Sequence, residues 1–138
     1  MKQIGFTGTK NGMSKVQELQ VDRLLTKIGK NGAFHNGDCV GADEQACRIA
    51  DSIGMRIILH PPIKQNKRAF CRADETRLEK EYLDRNRDIV AESELVIATP
   101  KETKEQFRGS GTWMTIRATR KAGKKLIIIW PDGSFSSE

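Results

Sequence analysis

The chain has 138 residues, with 24 Lys and Arg against 18 Asp and Glu and a formal net charge of +6. That length fits a single domain with a core of its own. No apolar run approaches the ~18 residues of a membrane-spanning helix, so a membrane protein of that kind is excluded. The positive balance suits an anionic ligand, either a nucleotide or a nucleic acid. Both signs are interleaved, however, and two Trp, one Tyr and five Phe are few for base stacking, so the charge reads first as solvated surface. Cys39, Cys47 and Cys71 form no C-x-x-C pair and no metal-ligand spacing. They read as reduced thiols, and neither a resident metal nor a cofactor is expected. The opening MKQIGFTG enters a strand-like run without an apolar signal segment, which points to a cytoplasmic protein.

In chain order, residues 4–8 form the first predicted strand. Ser14 followed by Gln17 is a capping-box signature, and Val21, Leu24, Leu25 and Ile28 then make one helical stripe. Residues 33–36 read as a second strand. Ala46, Ile49, Ala50 and Ile53 form a helical face closed by Gly54, and residues 56–59 a third strand ended by Pro61 and Pro62. Residues 64–81 are densely charged and read as a surface excursion, with room to act as a lid. They run into a helix carrying Leu78, Tyr82, Ile89 and Val90. Residues 95–98 are a fourth strand. After Gly111 comes a helix with a small-residue face of Thr115, Ala118, Thr119 and Ala122. Residues 126–130 are continuously apolar, the mark of a strand covered on both faces.

Strands alternating with helices imply right-handed crossovers. The expected fold is α/β: a doubly wound, mainly parallel five-stranded Rossmann-like sheet with helices on both faces. Residues 1–133 would form one domain, and residues 134–138 a frayed polar tail.

In such a sheet ligands bind beyond the carboxyl ends of the strands. The loops there are Thr7-Gly8-Thr9-Lys10, then HNGDCVGADEQA from His35 to Ala46, then Gly109-Ser110-Gly111-Thr112. Each is Gly-rich and leads into a helix, where free backbone N–H groups favour an anion. His35 and His60 also fall at strand ends, and read as satisfied surface residues. Asp38 and Asp43 read equally well as ligand contacts or helix caps.

The order G-T-K, GDCVGADEQA, Arg85-Asn86-Arg87-Asp88-Ile89 and G-S-G-T before a small-faced helix resembles the SLOG superfamily. That superfamily includes DprA-like DNA-processing proteins and LOG-type nucleotide phosphoribohydrolases. The resemblance spans residues 3–131. It implies a nucleotide or nucleotide-derived ligand lying along Thr7, Gly8, Thr9 and Lys10. Gly37, Asp38, Gly41, Ala42 and Asp43 would sit near its ribose, Arg85 and Asn86 would line the pocket, and Gly109, Ser110, Gly111 and Thr112 would hold the phosphate. The LOG enzymes place a glutamate where this chain has Thr115, so their acid/base residue is missing. The expected role is therefore a ligand-binding or sensor module. The alternatives are an N-glycosidase using a relocated carboxylate (Asp38, Asp43 or Asp88), or a DprA-like single-stranded nucleic-acid binder. Self-association is left open.

Overall fold

The computed structural model describes residues 1–138. β1 (Gln3–Gly8) leads to α1 (Lys15–Ile28). Ser14 Oγ accepts from the Gln17 amide at 3.1 Å while Gln17 Oε1 accepts from the Ser14 amide at 2.9 Å. This reciprocal bonding satisfies two donors that the helix start leaves free. The chain continues through β2 (Ala33–Asn36), α2 (Ala42–Ile53), β3 (Arg56–Leu59), β4 (Glu75–Thr76), α3 (Tyr82–Glu92), β5 (Leu95–Thr99), α4 (Gly111–Lys121), β6 (Lys125–Ile129) and β7 (Phe135–Ser137). The strand order is β4-β3-β2-β1-β5-β6-β7. Every pairing is parallel except that of β7 with β6.

The larger core lies between the sheet and α1 with α2, where Ile4, Phe6, Phe34, Ile57, Leu59 and Ile97 meet Val21, Leu25, Ala46 and Ala50. The opposite face packs Val96, Ala98, Leu126 and Ile128 against Trp113 and Ile116 of α4. Adjacent residues of β5 and β6 thus enter different cores. That explains the unbroken apolar runs, since a strand buried on both faces has no polar side to alternate with.

The doubly wound parallel architecture is as expected, with seven strands rather than five. The two additions are short edge strands. Residues 134–138 are not a frayed tail: Phe135–Ser137 pairs with Ile127–Ile129. The Glu138 carboxylate accepts from Arg120 Nε at 2.8 Å and Nη2 at 2.7 Å. An open edge of β6 presents unpaired backbone groups, and the returning chain fills them. Leu78 lies outside α3 and is 85% exposed, because the helix begins only at Tyr82.

Candidate functional site

The strand order reverses at β1, whose neighbours are β2 on one side and β5 on the other. In doubly wound sheets the loops leaving two such strands part at this switch point, which makes the carboxyl edge between β1 and β5 the expected ligand crevice. Gly8 and Thr99 are register partners at its foot. The Thr99 hydroxyl is buried and has no hydrogen-bond partner. A Cβ on Gly8 would stand 2.5 Å from it and from the Ala42 side chain, so the glycine is what lets β5 and α2 approach β1 this closely. Lys101 Nζ donates to Asn11 Oδ1 at 3.0 Å and ties the two loops across the crevice. Sequence reasoning missed Thr99, Asn11 and Lys101. Thr99 follows directly on the predicted strand 95–98, and a stricter reading of strand-end residues finds it.

The structure joins the first and second predicted loops. The Ala42 amide donates to the Thr9 carbonyl at 3.0 Å. Gly41 has φ +99°, and a Cβ there would overlap the Lys10 backbone. Only glycine permits both that conformation and that approach. Thr9 is nearly buried and Lys10 is exposed.

Gly37, Asp43, Arg85 and Asn86 converge on one buried cluster. Arg85 Nη1 donates to the carbonyls of Gly37 at 2.8 Å and His60 at 3.2 Å, and Nε donates to Asn86 Oδ1 at 2.8 Å. A side chain at Gly37 would collide with this guanidinium. Arg85 therefore fastens the ends of β2 and β3 to α3. Burial pushes the Asp43 carboxyl up to about 6, against the downward pull of Arg85 and of the Cys39 and Gly37 amides. A carboxyl poised near neutrality can donate or accept a proton.

Asp38 lies elsewhere. It is fully buried, with Oδ2 accepting from Arg68 Nε at 2.7 Å and Oδ1 from the Cys71 amide at 3.0 Å. Its backbone carbonyl accepts from the Ala69 amide at 2.8 Å, and the Val40 amide donates to the Lys67 carbonyl at 3.1 Å. The carboxylate is spent docking the charged excursion onto the second loop.

At the start of α4, Ser110 is the N-cap, its Oγ accepting from the Trp113 amide at 3.1 Å. The first helical bond runs from the Met114 amide to the Ser110 carbonyl. The amides of Gly111 and Thr112 are left without intrahelical partners. A Cβ added at Gly109 or Gly111 would meet nothing within 4 Å, so the loop has open space beside its glycines. No hydrogen bond joins this loop to the Gly37–Asp43 cluster. Thr115 is buried, and its hydroxyl donates to the Gly111 carbonyl at 2.9 Å. Asp88 is held by Lys80 Nζ at 2.6 Å on the exposed side of α3. Contrary to the sequence reading, His35 and His60 are both buried, and their ring nitrogens meet at 2.9 Å.

No family model matches the chain, and no curated protein matches it in sequence. Solved structures do. The molybdenum cofactor binding protein from Rippkaea orientalis is 23% identical, with a TM-score of 0.70 over 94% of this chain and 77% of that one. The molybdenum cofactor carrier protein of Chlamydomonas reinhardtii is 20% identical, with a TM-score of 0.68 over 93% and 76%. DNA processing protein A from Streptococcus pneumoniae is 18% identical, with a TM-score of 0.69 over 93% of this chain but 50% of its own length. The shared feature at this level of identity is the Rossmann-like fold. No helix of the chain is long and apolar enough to cross a membrane.

Proposed function

We propose that this chain is a SLOG-type binding module for a phosphate-bearing small molecule, a nucleotide or nucleotide derivative. The observation that carries the reading is the switch point, where the strand order reverses between β1 and β5. Two unpartnered amides of α4 and an unpartnered Thr99 hydroxyl belong to elements leaving the same strand end, and a Cβ at Gly109 or Gly111 would meet nothing within 4 Å. In this reading the phosphate binds at the α4 amides, where the helix dipole favours it. Thr7, Gly8, Thr9 and Lys10 border the rest of the ligand, while Gly37, Gly41, Ala42, Asp43, Arg85 and Asn86 shape the ribose side. Arg85 acts there by holding backbone rather than by gripping phosphate. Neighbours named for carrying the molybdenum cofactor support a role in holding a small molecule. Thermal-shift titration against nucleoside mono- and diphosphates, NAD and ADP-ribose tests this, because a ligand of the native state raises the melting temperature with concentration. No response to any of them removes the reading.

A second reading, N-glycosidic hydrolysis, is favoured by one observation: the raised pKa of Asp43 beside Arg85. Chromatographic release of free base, lost in Asp43→Asn, would establish it.

A further inference from the structure

His35 and His60 are the two histidines of the chain, and the pairing of β2 with β3 brings them together. His35 is the register partner of Ile58. His60 stands two residues further on and so projects from the same face. Glu92, at the end of α3, completes the group, with Oε1 3.9 Å from His35 Nδ1. One ligating atom from each of the three lies within 4.8 Å of the other two. Both rings are buried, while the Glu92 side chain is 35% exposed and gives access from solvent.

Hydrogen bonding sets the lone pairs. His35 Nε2 lies 2.6 Å from Gln3 Oε1, an acceptor, so the proton sits on Nε2 and Nδ1 is bare. That bare nitrogen faces His60 Nε2 at 2.9 Å, which therefore carries a proton. His60 Nδ1 is left bare, buried and without a partner. Two neutral imidazoles thus share one proton between His35 Nδ1 and His60 Nε2, and the second lone pair stands apart on His60 Nδ1.

We propose that His35, His60 and Glu92 form a binding site for a divalent transition-metal ion of the zinc class, with a fourth position open to solvent. Imidazole nitrogen and carboxylate oxygen are donors that such ions take, whereas calcium and magnesium favour all-oxygen sets. Tetrahedral arms of ~2.0–2.1 Å place ligand atoms about 3.4 Å apart. The 2.9 Å between the rings opens by about half an ångström, and the 3.9 Å to Glu92 closes by as much. The ion enters in place of the shared proton, which moves from His60 Nε2 to the bare Nδ1. Gln3 on the far nitrogen of His35 is the kind of outer partner that orients a metal-binding imidazole. Arg77 donates twice to Glu92 Oε1, at 2.7 and 3.3 Å, the oxygen that stands 3.9 Å from His35, so loading the ion either shares Oε1 with Arg77 or turns the carboxylate to present its free oxygen. The negative charges of Glu75 and Asp88 also face the pair and offset Arg77. Once loaded, the ion would clasp β2 and β3 to α3, independently of any ligand in the β1/β5 crevice.

The test uses tag-free protein stripped with a chelator and titrated with cobalt(II) chloride. One equivalent should bind and give visible d–d bands, and zinc chloride should raise the melting temperature and move the ring NMR signals of both histidines. Glu92→Gln, altering a partly exposed side chain, should stay folded by circular dichroism and bind cobalt at least about tenfold more weakly. His60→Gln should abolish the bands. The proposal fails if the folded wild-type chain shows no bands and unmoved histidine signals. It fails equally if binding survives Glu92→Gln and His60→Gln, or if thiolate charge-transfer bands place the ion on the cysteines.

Discussion

Asp43 bears a carboxyl that folding makes harder to ionise, and this has a definite sign in stability. Its pKa rises from 3.8 to about 6, chiefly through burial. Between those values the folded chain keeps a proton that the unfolded chain has lost. Stability contributed by this group therefore falls as pH rises through that window, by on the order of 3 kcal/mol, and is level above it. Asp43→Asn should remove this slope. Urea unfolding of both proteins from about pH 4 to about pH 7 isolates it as the difference between two curves. Equal slopes would show that the carboxyl titrates normally. Gly111 offers a separate test of the crevice. A Cβ there meets nothing within 4 Å, so Gly111→Val should melt within a few degrees of wild type yet block an anion at the α4 amides. Thr112→Ala should weaken binding by about 1–3 kcal/mol if the hydroxyl bonds a charged oxygen. Calorimetric titration alongside melting curves distinguishes the outcomes, and full affinity in folded Gly111→Val removes the loop from the site.

At the scale of elements, the excursion between β3 and α3 is anchored rather than loose. Its anchor is the buried carboxylate of Asp38, held by Arg68 and the Cys71 amide. Asp38→Ala leaves a largely buried guanidinium and an amide unpaired, and should cost about 3 kcal/mol. Hydrogen exchange should then quicken at the Val40 and Ala69 amides, which bond across the same junction; unchanged protection there would show that the docking does not depend on the carboxylate. The sequence could not reveal this role. In GDCVGAD two carboxylates stand five residues apart with similar capping credentials, and only tertiary contacts show that one docks a segment while the other sits beside Arg85. The five main strands and four helices were legible because apolar runs, caps and glycine stops agree with one another. β4 and β7 were not, because two- or three-residue edge strands of polar composition take their conformation from the neighbour they pair with. The histidine pair was illegible for a related reason, since strand register alone brings residues 25 apart within hydrogen-bonding distance.

At the scale of the whole molecule, the question is whether the net charge of +6 serves a long anion or only a small one. Four exposed aromatics, Phe70, Tyr82, Phe107 and Phe135, lie in or beside the carboxyl-edge loops, and all but Phe135 already have an arginine over the ring. Arg68 lies 4.4 Å from Phe70, Arg85 5.0 Å from Tyr82 and Arg117 5.6 Å from Phe107. Stacking a base on these three means competing with those cations. Many basic groups are also neutralised locally: Arg72 by Asp74, Arg77 by Glu92, Lys80 by Asp88 and Arg120 by Glu138. A nucleic-acid groove needs unpaired cations along its length, each contributing to a steep salt dependence. We therefore expect a labelled oligothymidine to bind weakly in low salt and to be released near physiological ionic strength. Nucleotide affinity, set by a few amides in a crevice, should change far less over the same range. Fluorescence anisotropy and calorimetry across one salt series measure both. Tight oligonucleotide binding that persists at physiological salt would reverse the ranking and make the DNA processing protein the better guide to function.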